Sequence, residues 1–187
     1  GIGSDNRPAL AGEVVSEETL WSCTICSACV EVCPLGVDPL ELIIGMRRHL
    51  IGAGAVRGPA ATALQKLSRS GNPWGLPPDQ RMDWAEGLEV PTVDDQPDFD
   101  VLYWVGCAAS YDRRIQRVAR AVVQLLHHAQ VNFAVLGPEE RCTGESARRM
   151  GDEFLFQELA ASNLATLQQH AVKKIVTHCP HCLNSLT

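Results

Sequence analysis

"VLYWVGC", residues 101–107, is an apolar run that stops at a glycine and is followed at once by a cysteine. Short apolar runs bounded by a turn residue read as buried strands. Downstream the pattern changes period: Ile115, Val118, Ala119, Val122, Leu125 and Leu126 stand at helical spacing within 112–129. "NFAVLG" (132–137) reads as a second strand, and "PEERCTGES" follows it. A long helical pattern comes next, with Phe156, Leu159, Ala160, Leu164 and Leu167 on one face, and then "KKIVTH" (173–178) as a third strand. Strands alternating with helices imply right-handed crossovers and a parallel sheet covered by helices.

Each of these runs is followed by cysteine: Cys107 after the first, Cys142 after the second, and the pair Cys179 and Cys182 after the third. In an open parallel sheet the loops after the strand C-termini gather along one edge, where ligand sites form. The fold is therefore expected to bring four thiols together although they are distant in sequence. The competing reading, that Cys107 and Cys142 are small buried apolar residues, has general precedent. The "CPHC" pair favours a shared centre, since C-x2-C directs both sulfurs at one metal. His178 and His181 flank the pair and could ligate; four sulfurs already complete a tetrahedral set, so outer roles are expected of them. His127 and His128 near the end of the first predicted helix read as surface residues. Arg113, Arg114 and Arg117 crowd the start of that helix, where positive charge is disfavoured. They fit either a neighbouring anionic cluster or a solvated basic face.

Upstream lies "CTICSACVEVCP", residues 23–34, whose C-x2-C-x2-C-x3-C-P spacing is an iron–sulfur signature. Either Cys33 closes a solitary cluster with Cys23, Cys26 and Cys29, or it serves a neighbouring one, as in two-cluster ferredoxins. Residues 1–22 read as irregular apart from a helical turn at "SEETLW". After the motif, Asp38 reads as an N-cap and Pro39 as a first helical residue, with Leu40, Ile43, Ile44 and Leu50 forming an apolar stripe. Residues 55–99 read as a linker: a helix-like "PAATALQKLSR", then the proline-rich "SGNPWGLPPDQ" and the acidic "VPTVDDQPDFD". Trp74 and Trp84 within it are expected to anchor against a neighbouring surface. The division is a small, mostly helical ferredoxin-like segment (1–54), the linker, and an α/β unit (100–187), an α+β chain overall.

Composition narrows the class. With 187 residues, 45% apolar and 20% charged, the chain is globular. The net charge of −6 argues against nucleic acid as a partner. The apolar runs are too short for a membrane span, and no charged-then-apolar leader opens the sequence, so the expected setting is cytoplasmic. Eight cysteines in such a setting point to metal or cluster ligation rather than disulfides.

The motifs together resemble heterodisulfide reductase and related iron–sulfur oxidoreductases. The second segment resembles their "CCG" cysteine-rich domain, whose doubled cysteine and glycine correspond to "CTG" at 142–144 and whose C-x2-C corresponds to "CPHC" at 179–182. With "CTICSACVEVCP", "GNPWGLP", "VLYWVGCA" and "CTGESARRMGDEFLFQELA", the chain is most similar to the bacterial membrane-bound members. The resemblance covers nearly all of residues 18–187. It implies 4Fe-4S clusters held by Cys23, Cys26, Cys29, Cys33, Cys107, Cys142, Cys179 and Cys182, one or two of them in this chain. It also implies a flavoprotein electron donor such as electron-transfer flavoprotein, a membrane haem- or quinone-binding partner, and a place at the cytoplasmic face of the membrane. Relatives carry two ferredoxin motifs and usually two cysteine-rich repeats. The resemblance therefore implies that this chain is a fragment in which Cys33 reaches the cluster of an absent motif. Thr143 departs from the family pattern, standing where the second of the doubled cysteines would be. That puts a disulfide-reducing non-cubane cluster in doubt and favours a four-cysteine cubane or zinc at Cys107, Cys142, Cys179 and Cys182.

The expected function is electron relay as the iron–sulfur subunit of an oxidoreductase, with substrate chemistry elsewhere: no acid/base pair or activated nucleophile stands out, and no catalytic residue is named. The alternatives are the iron–sulfur subunit of a glycolate or lactate oxidase, a heterodisulfide reductase subunit, and a zinc-stabilised interaction module.

Overall fold

The computed structural model describes residues 8–187; the first seven residues of the stretch expected to be irregular lie outside it. Among the described residues the sheet has three parallel strands, β1 (Val101–Tyr103), β2 (Phe133–Ala134) and β3 (Ile175–Val176), in the order β2-β1-β3. β1 is central, with Leu102 aligned to Ala134 on one side and Ile175 on the other. The strands are shorter than the apolar runs that predict them, but the pairing runs past β1: the Trp104 amide donates to the Val176 carbonyl at 2.9 Å.

Side chains alternate across a strand. Tyr103, Val105, Phe133 and Val135 face one way and pack with Ala119, Val123 and Trp84. Leu102, Trp104, Ala134 and Leu136 face the other, with Val93 and Cys182. Helix α6 (Arg113–His128) covers the first face. The chain then passes from β2 across β1 to β3 through α7 (Glu145–Met150) and α8 (Glu153–Gln169). Travel reverses direction at β2, so right-handed crossovers put the two connections on opposite faces and open a crevice beyond the ends of β1 and β3. In α8 the buried residues are Leu155, Leu159 and Asn163, while Leu164, expected on the inner face, is exposed.

The ferredoxin-like segment is helical as expected: α1 (Glu17–Ser22), capped by Ser16, a four-residue α2 (Ala28–Glu31) and α3 (Leu40–Gly52). α3 starts one residue later than expected, with Pro39 rather than Asp38 at the N-cap; Asp38 Oδ1 accepts the Leu40 amide at 2.8 Å from just outside the helix. The inward stripe of α3 includes Arg47, 5% exposed, between Ile44 and Leu50. Residues 55–99 do not hang free. α4 (Gly58–Ser70) packs Leu64 and Leu67 against Ala147, Leu155 and Leu159. A 3-10 helix, Pro78–Ala85, drives Trp84 into the core edge-on to Tyr103, the anchoring expected of it. Val93 hydrogen-bonds Val135 along the outer side of β2.

Gly151 closes α7 against α3: a Cβ there would lie 2.6 Å from the Arg48 nitrogen and 2.8 Å from the Arg47 carbonyl carbon. The two backbones meet directly. Among the described residues no helix is long and apolar enough to cross a membrane.

Candidate metal centres

The four distant cysteines line one cavity of about 220 Å³ beyond the strand ends, with Pro73, Trp74, Thr143, Glu145 and His181 around them. The β1 end is shaped by Gly106, whose φ of 80° and ψ of 157° fall in a region essentially confined to glycine. A Cβ on Gly106 would stand 3.2 Å from Cys182 Sγ, tight enough that the thiol would have to give by a few tenths of an ångström. Cys107 then opens the five-residue α5 (Cys107–Tyr111). Cys142 is fixed through its backbone: its amide donates to the Gly71 carbonyl at 2.8 Å, and its carbonyl accepts Asn163 Nδ2 at 2.9 Å. The "GNPW" stretch thereby forms one wall, held by the buried Asn72 side chain, which bonds the Ser70 and Leu76 backbone. Cys179 precedes α9 (Pro180–Leu186), and Cys182 lies in its first turn.

The thiols influence one another as two pairs. Cys142 and, more weakly, Arg81 draw the Cys107 pKa down to about 7 against the opposing effect of burial. Cys182, with its own backbone amide and that of His181, brings Cys179 down to about 5. The other thiol of each pair, Cys142 or Cys182, is pushed up by its partner and then by burial. A Cys107 charge is felt at Cys182, which connects the pairs electrostatically. Among the described residues no three Cys, His, Asp or Glu side chains are gathered tightly enough to hold one metal ion. The four sulfurs share a cavity without the compact geometry of a zinc site, in which ligands lie about 2.3 Å from the metal.

Behind Cys107 lies a buried ion pair that the sequence did not single out. Glu140 accepts the Val105 amide at 2.9 Å, the Gly106 amide at 2.8 Å and Arg81 Nη2 at 2.6 Å, so one carboxylate clamps the end of β1. Arg81 Nη2 also lies 3.5 Å from Cys107 Sγ. Burial alone would lower the proton affinity of the guanidinium; the charges of Glu140 and Cys107 reverse that and raise it. Arg81 Nε is buried with no partner among the described residues. By contrast Arg113, Arg114 and Arg117 are exposed and none lines the cavity, so the solvated basic face is the reading that holds. His178 turns away to share a 2.9 Å hydrogen bond with the Tyr103 hydroxyl. His127 caps the Glu89 carbonyl at 2.7 Å. Trp74 is a cavity wall leaning on Tyr111, with ring centroids 6.1 Å apart, rather than a core anchor.

The N-terminal motif forms an open loop: Cys26 and Cys29 are exposed, Cys23 and Cys33 half-buried. Ile25 and Ser27 take left-handed φ values of 54° and 65°, an outlier for a β-branched residue such as Ile25. The twist aims amides at sulfur: Ile25 N–H reaches Cys23 Sγ, and Val37 N–H reaches Cys33 Sγ, both at 3.4 Å. The Cys26 thiol is held below its ordinary pKa by the Ala28 amide first, then by Thr24. Cys33 is lowered by the amides of Val37, Leu35 and Gly36 in turn. Hydrogen bonds to the charged form favour it.

Comparison with known proteins agrees with this arrangement. The family model described as "Cysteine-rich domain" matches residues 101–187. The chain is 42% identical to the probable iron–sulfur-binding oxidoreductase FadF of Bacillus subtilis, covering 96% of this chain and 27% of that protein. It is 40% identical to the EtfAB:quinone oxidoreductase of Syntrophomonas wolfei over 95% of this chain and 26% of the other. It is 28% identical to a dihydromethanophenazine:CoB–CoM heterodisulfide reductase polypeptide of Methanosarcina barkeri over 90% of this chain and 41% of the other. The chain thus spans about a quarter of the length of the first two relatives. No solved structure matches. Residues 101–187 match the cysteine-rich domain family, and the chain is similar over nearly its whole length to proteins named as oxidoreductases, one of them as iron–sulfur-binding.

Proposed function

We propose that this chain is the iron–sulfur electron-relay part of an oxidoreductase, with Cys107, Cys142, Cys179 and Cys182 holding one cluster at the sheet edge. The observation that carries the reading is the shared cavity lined by four thiols, two of them poised to ionise. The residues fit the group. Thiolates are the ligands such clusters require, a multi-iron cluster spreads its ligand sulfurs further apart than one zinc ion does, and the buried Arg81, with an unused donor beside Cys107, suits an anionic neighbour. When bound, the cluster supplies one-electron transfer. The chain's own residues hold it, keep water from its inner side, and fix its charge balance through Arg81 and Glu140.

Cys23, Cys26 and Cys29 hold a second cluster on this reading, and Cys33 serves a neighbouring one. A flavoprotein donor and a membrane haem or quinone partner belong to the same proposal, and the similarity to proteins named EtfAB:quinone oxidoreductase and probable membrane-anchored ferredoxin supports a flavoprotein, quinone and membrane setting. Thr143 lines the sheet-edge cavity but brings no thiol to it, which favours electron relay over disulfide reduction. The test is iron, zinc and sulfide analysis of anaerobically purified protein, with electron paramagnetic resonance after reduction. Four irons bound per sheet-edge site, lost in Cys182→Ser, support the proposal. Stoichiometric zinc in colourless protein defeats it in favour of an interaction module.

A further inference from the structure

Two arginines outside the cysteine set converge on the N-terminal loop. Arg47, 5% exposed on α3, donates from Nη2 to the Cys23 carbonyl at 2.5 Å and from Nε to the Leu20 carbonyl at 3.1 Å. Arg149, in the last turn of α7, uses one nitrogen, Nη1, for two carbonyls: Thr24 at 3.3 Å and Ile25 at 3.2 Å. Its Nε pairs with Glu145, which lines the sheet-edge cavity. The arginines also interlock, since Arg47 Nη1 donates to the Arg149 carbonyl at 2.8 Å.

The carbonyls they grip belong to three successive peptide units, 23–24, 24–25 and 25–26. A trans peptide is planar, with its C=O and N–H pointing in opposite directions, and among the described residues none is cis. A cation holding the oxygen end therefore turns the N–H end away from itself. The middle unit shows the result: Arg149 holds the Thr24 oxygen while the N–H of the same unit, on Ile25, reaches Cys23 Sγ at 3.4 Å. Ile25 itself takes a left-handed φ of 54°, an outlier for a β-branched residue, and Arg149 holds the carbonyls on both sides of it.

We propose that Arg47 and Arg149 are positioning residues for the N-terminal centre: by holding the carbonyls of Cys23, Thr24 and Ile25, they aim the Ile25 amide at Cys23 Sγ and so set the reduction potential there. The inference rests on the reading of Cys23, Cys26 and Cys29 as cluster ligands. Hydrogen bonds to the sulfurs are among the determinants of a cluster's potential; they stabilise the more negative, reduced form, so their loss lowers the potential. Neither arginine hydrogen-bonds a sulfur itself; Arg47 also feels the Cys23 charge directly, whereas Arg149 acts through the backbone.

The experiment is a redox titration, followed by electron paramagnetic resonance, of the full chain and of Arg149→Met and Arg149→Lys, with Arg47→Lys as a second handle. Arg149→Met is expected to make reduction of the N-terminal centre about tenfold less favourable, a fall of about 59 mV for a one-electron couple. The sheet-edge centre, which does not receive this amide, moves less. Arg149→Lys recovers only part of the loss, because one ammonium must serve both Glu145 and the two carbonyls that the guanidinium fork serves with separate nitrogens. Full recovery in Arg149→Lys would mean that charge alone acts, and would overturn the proposal, as would unchanged potentials in all three variants. A second arm needs no iron: amide hydrogen exchange at Thr24, Ile25 and Cys26 in the metal-free chain should quicken in Arg149→Met, and unchanged exchange overturns the proposal. If the unmutated chain binds no iron at 23–33, as a missing fourth ligand would cause, the exchange arm alone decides the proposal.

Discussion

At the sheet edge the thiols are buried or half-buried, already paired, and braced from behind by Arg81 and Glu140. In the loop at 23–33, Cys26 and Cys29 lie in solvent beside Val32 and Leu35, 79% and 85% exposed, and backbone amides supply the order. The first site is made by topology: three strands end side by side, and their loops have nowhere else to go. The second is made by local dihedrals and two long side chains reaching in from α3 and α7. A site of the first kind is preorganised by the same burial that stabilises the domain. A site of the second kind depends on contacts that fold stability does not protect.

The sharpest way to break the comparison is to delete one ligand from each side. Cys107→Ser or Cys182→Ser should abolish cluster binding at the sheet edge while sparing the loop, and Cys26→Ser should do the reverse; iron per chain and the two resonance signals check both. Next in size is Glu140→Ala. Removing one partner of a buried ion pair costs about 3–5 kcal/mol, and here the Val105 and Gly106 amides lose their acceptor too. Urea unfolding of the metal-free chain should show that loss, whereas Cys26→Ser, at a fully exposed thiol, should leave the midpoint where it was. Gly106→Ala comes third, at about 1–3 kcal/mol for the backbone strain, together with weakened cluster binding as the new Cβ meets Cys182 Sγ.

The smallest effect is one of pH on the metal-free chain. Cys179 and Cys107 are lowered in the folded state to about 5 and about 7, from an ordinary 9.0. The unfolded chain therefore holds more protons between those values and 9, and stability rises with pH across that window. Above 9 the sign reverses, because Cys142 and Cys182 are raised and keep protons that unfolded thiols release. A stability maximum near pH 9 is expected, damped because Cys179 is only half-buried and solvent screens it. A curve falling steadily from pH 5 to 9 would contradict the pairing of the thiols.

The sheet edge was legible because its signals are periodic. "VLYWVG", "NFAVLG" and "KKIVTH" carry the alternation and the stop, and cysteine follows each. What supports the edge was not legible. Arg81 and Glu140 sit in stretches rich in proline and charge, where an isolated arginine or glutamate looks solvated, and only their meeting 59 residues apart buries them. Asn72 in "GNPWGLP" was equally silent, since a buried amide bonding its own loop leaves no period. Arg47 did leave a trace, a charge at core spacing between Ile44 and Leu50. The arginines of α6 misdirected in the other direction: their crowding at a helix start looked meaningful, yet Asp112 caps that end by accepting the Arg114 amide at 2.8 Å, and the side chains point to solvent.

The meeting of α3 and α7 at Gly151 has a mechanical consequence. Where side chains separate two elements, a rotamer change can let them slide, and the spacing of whatever they carry drifts accordingly. Here backbone rests on backbone with no side chain between, directly behind Arg47 and two residues from Arg149. A Cβ at 151 would collide with that backbone and push α3 away from α7, and with it the arginine that holds the Cys23 carbonyl.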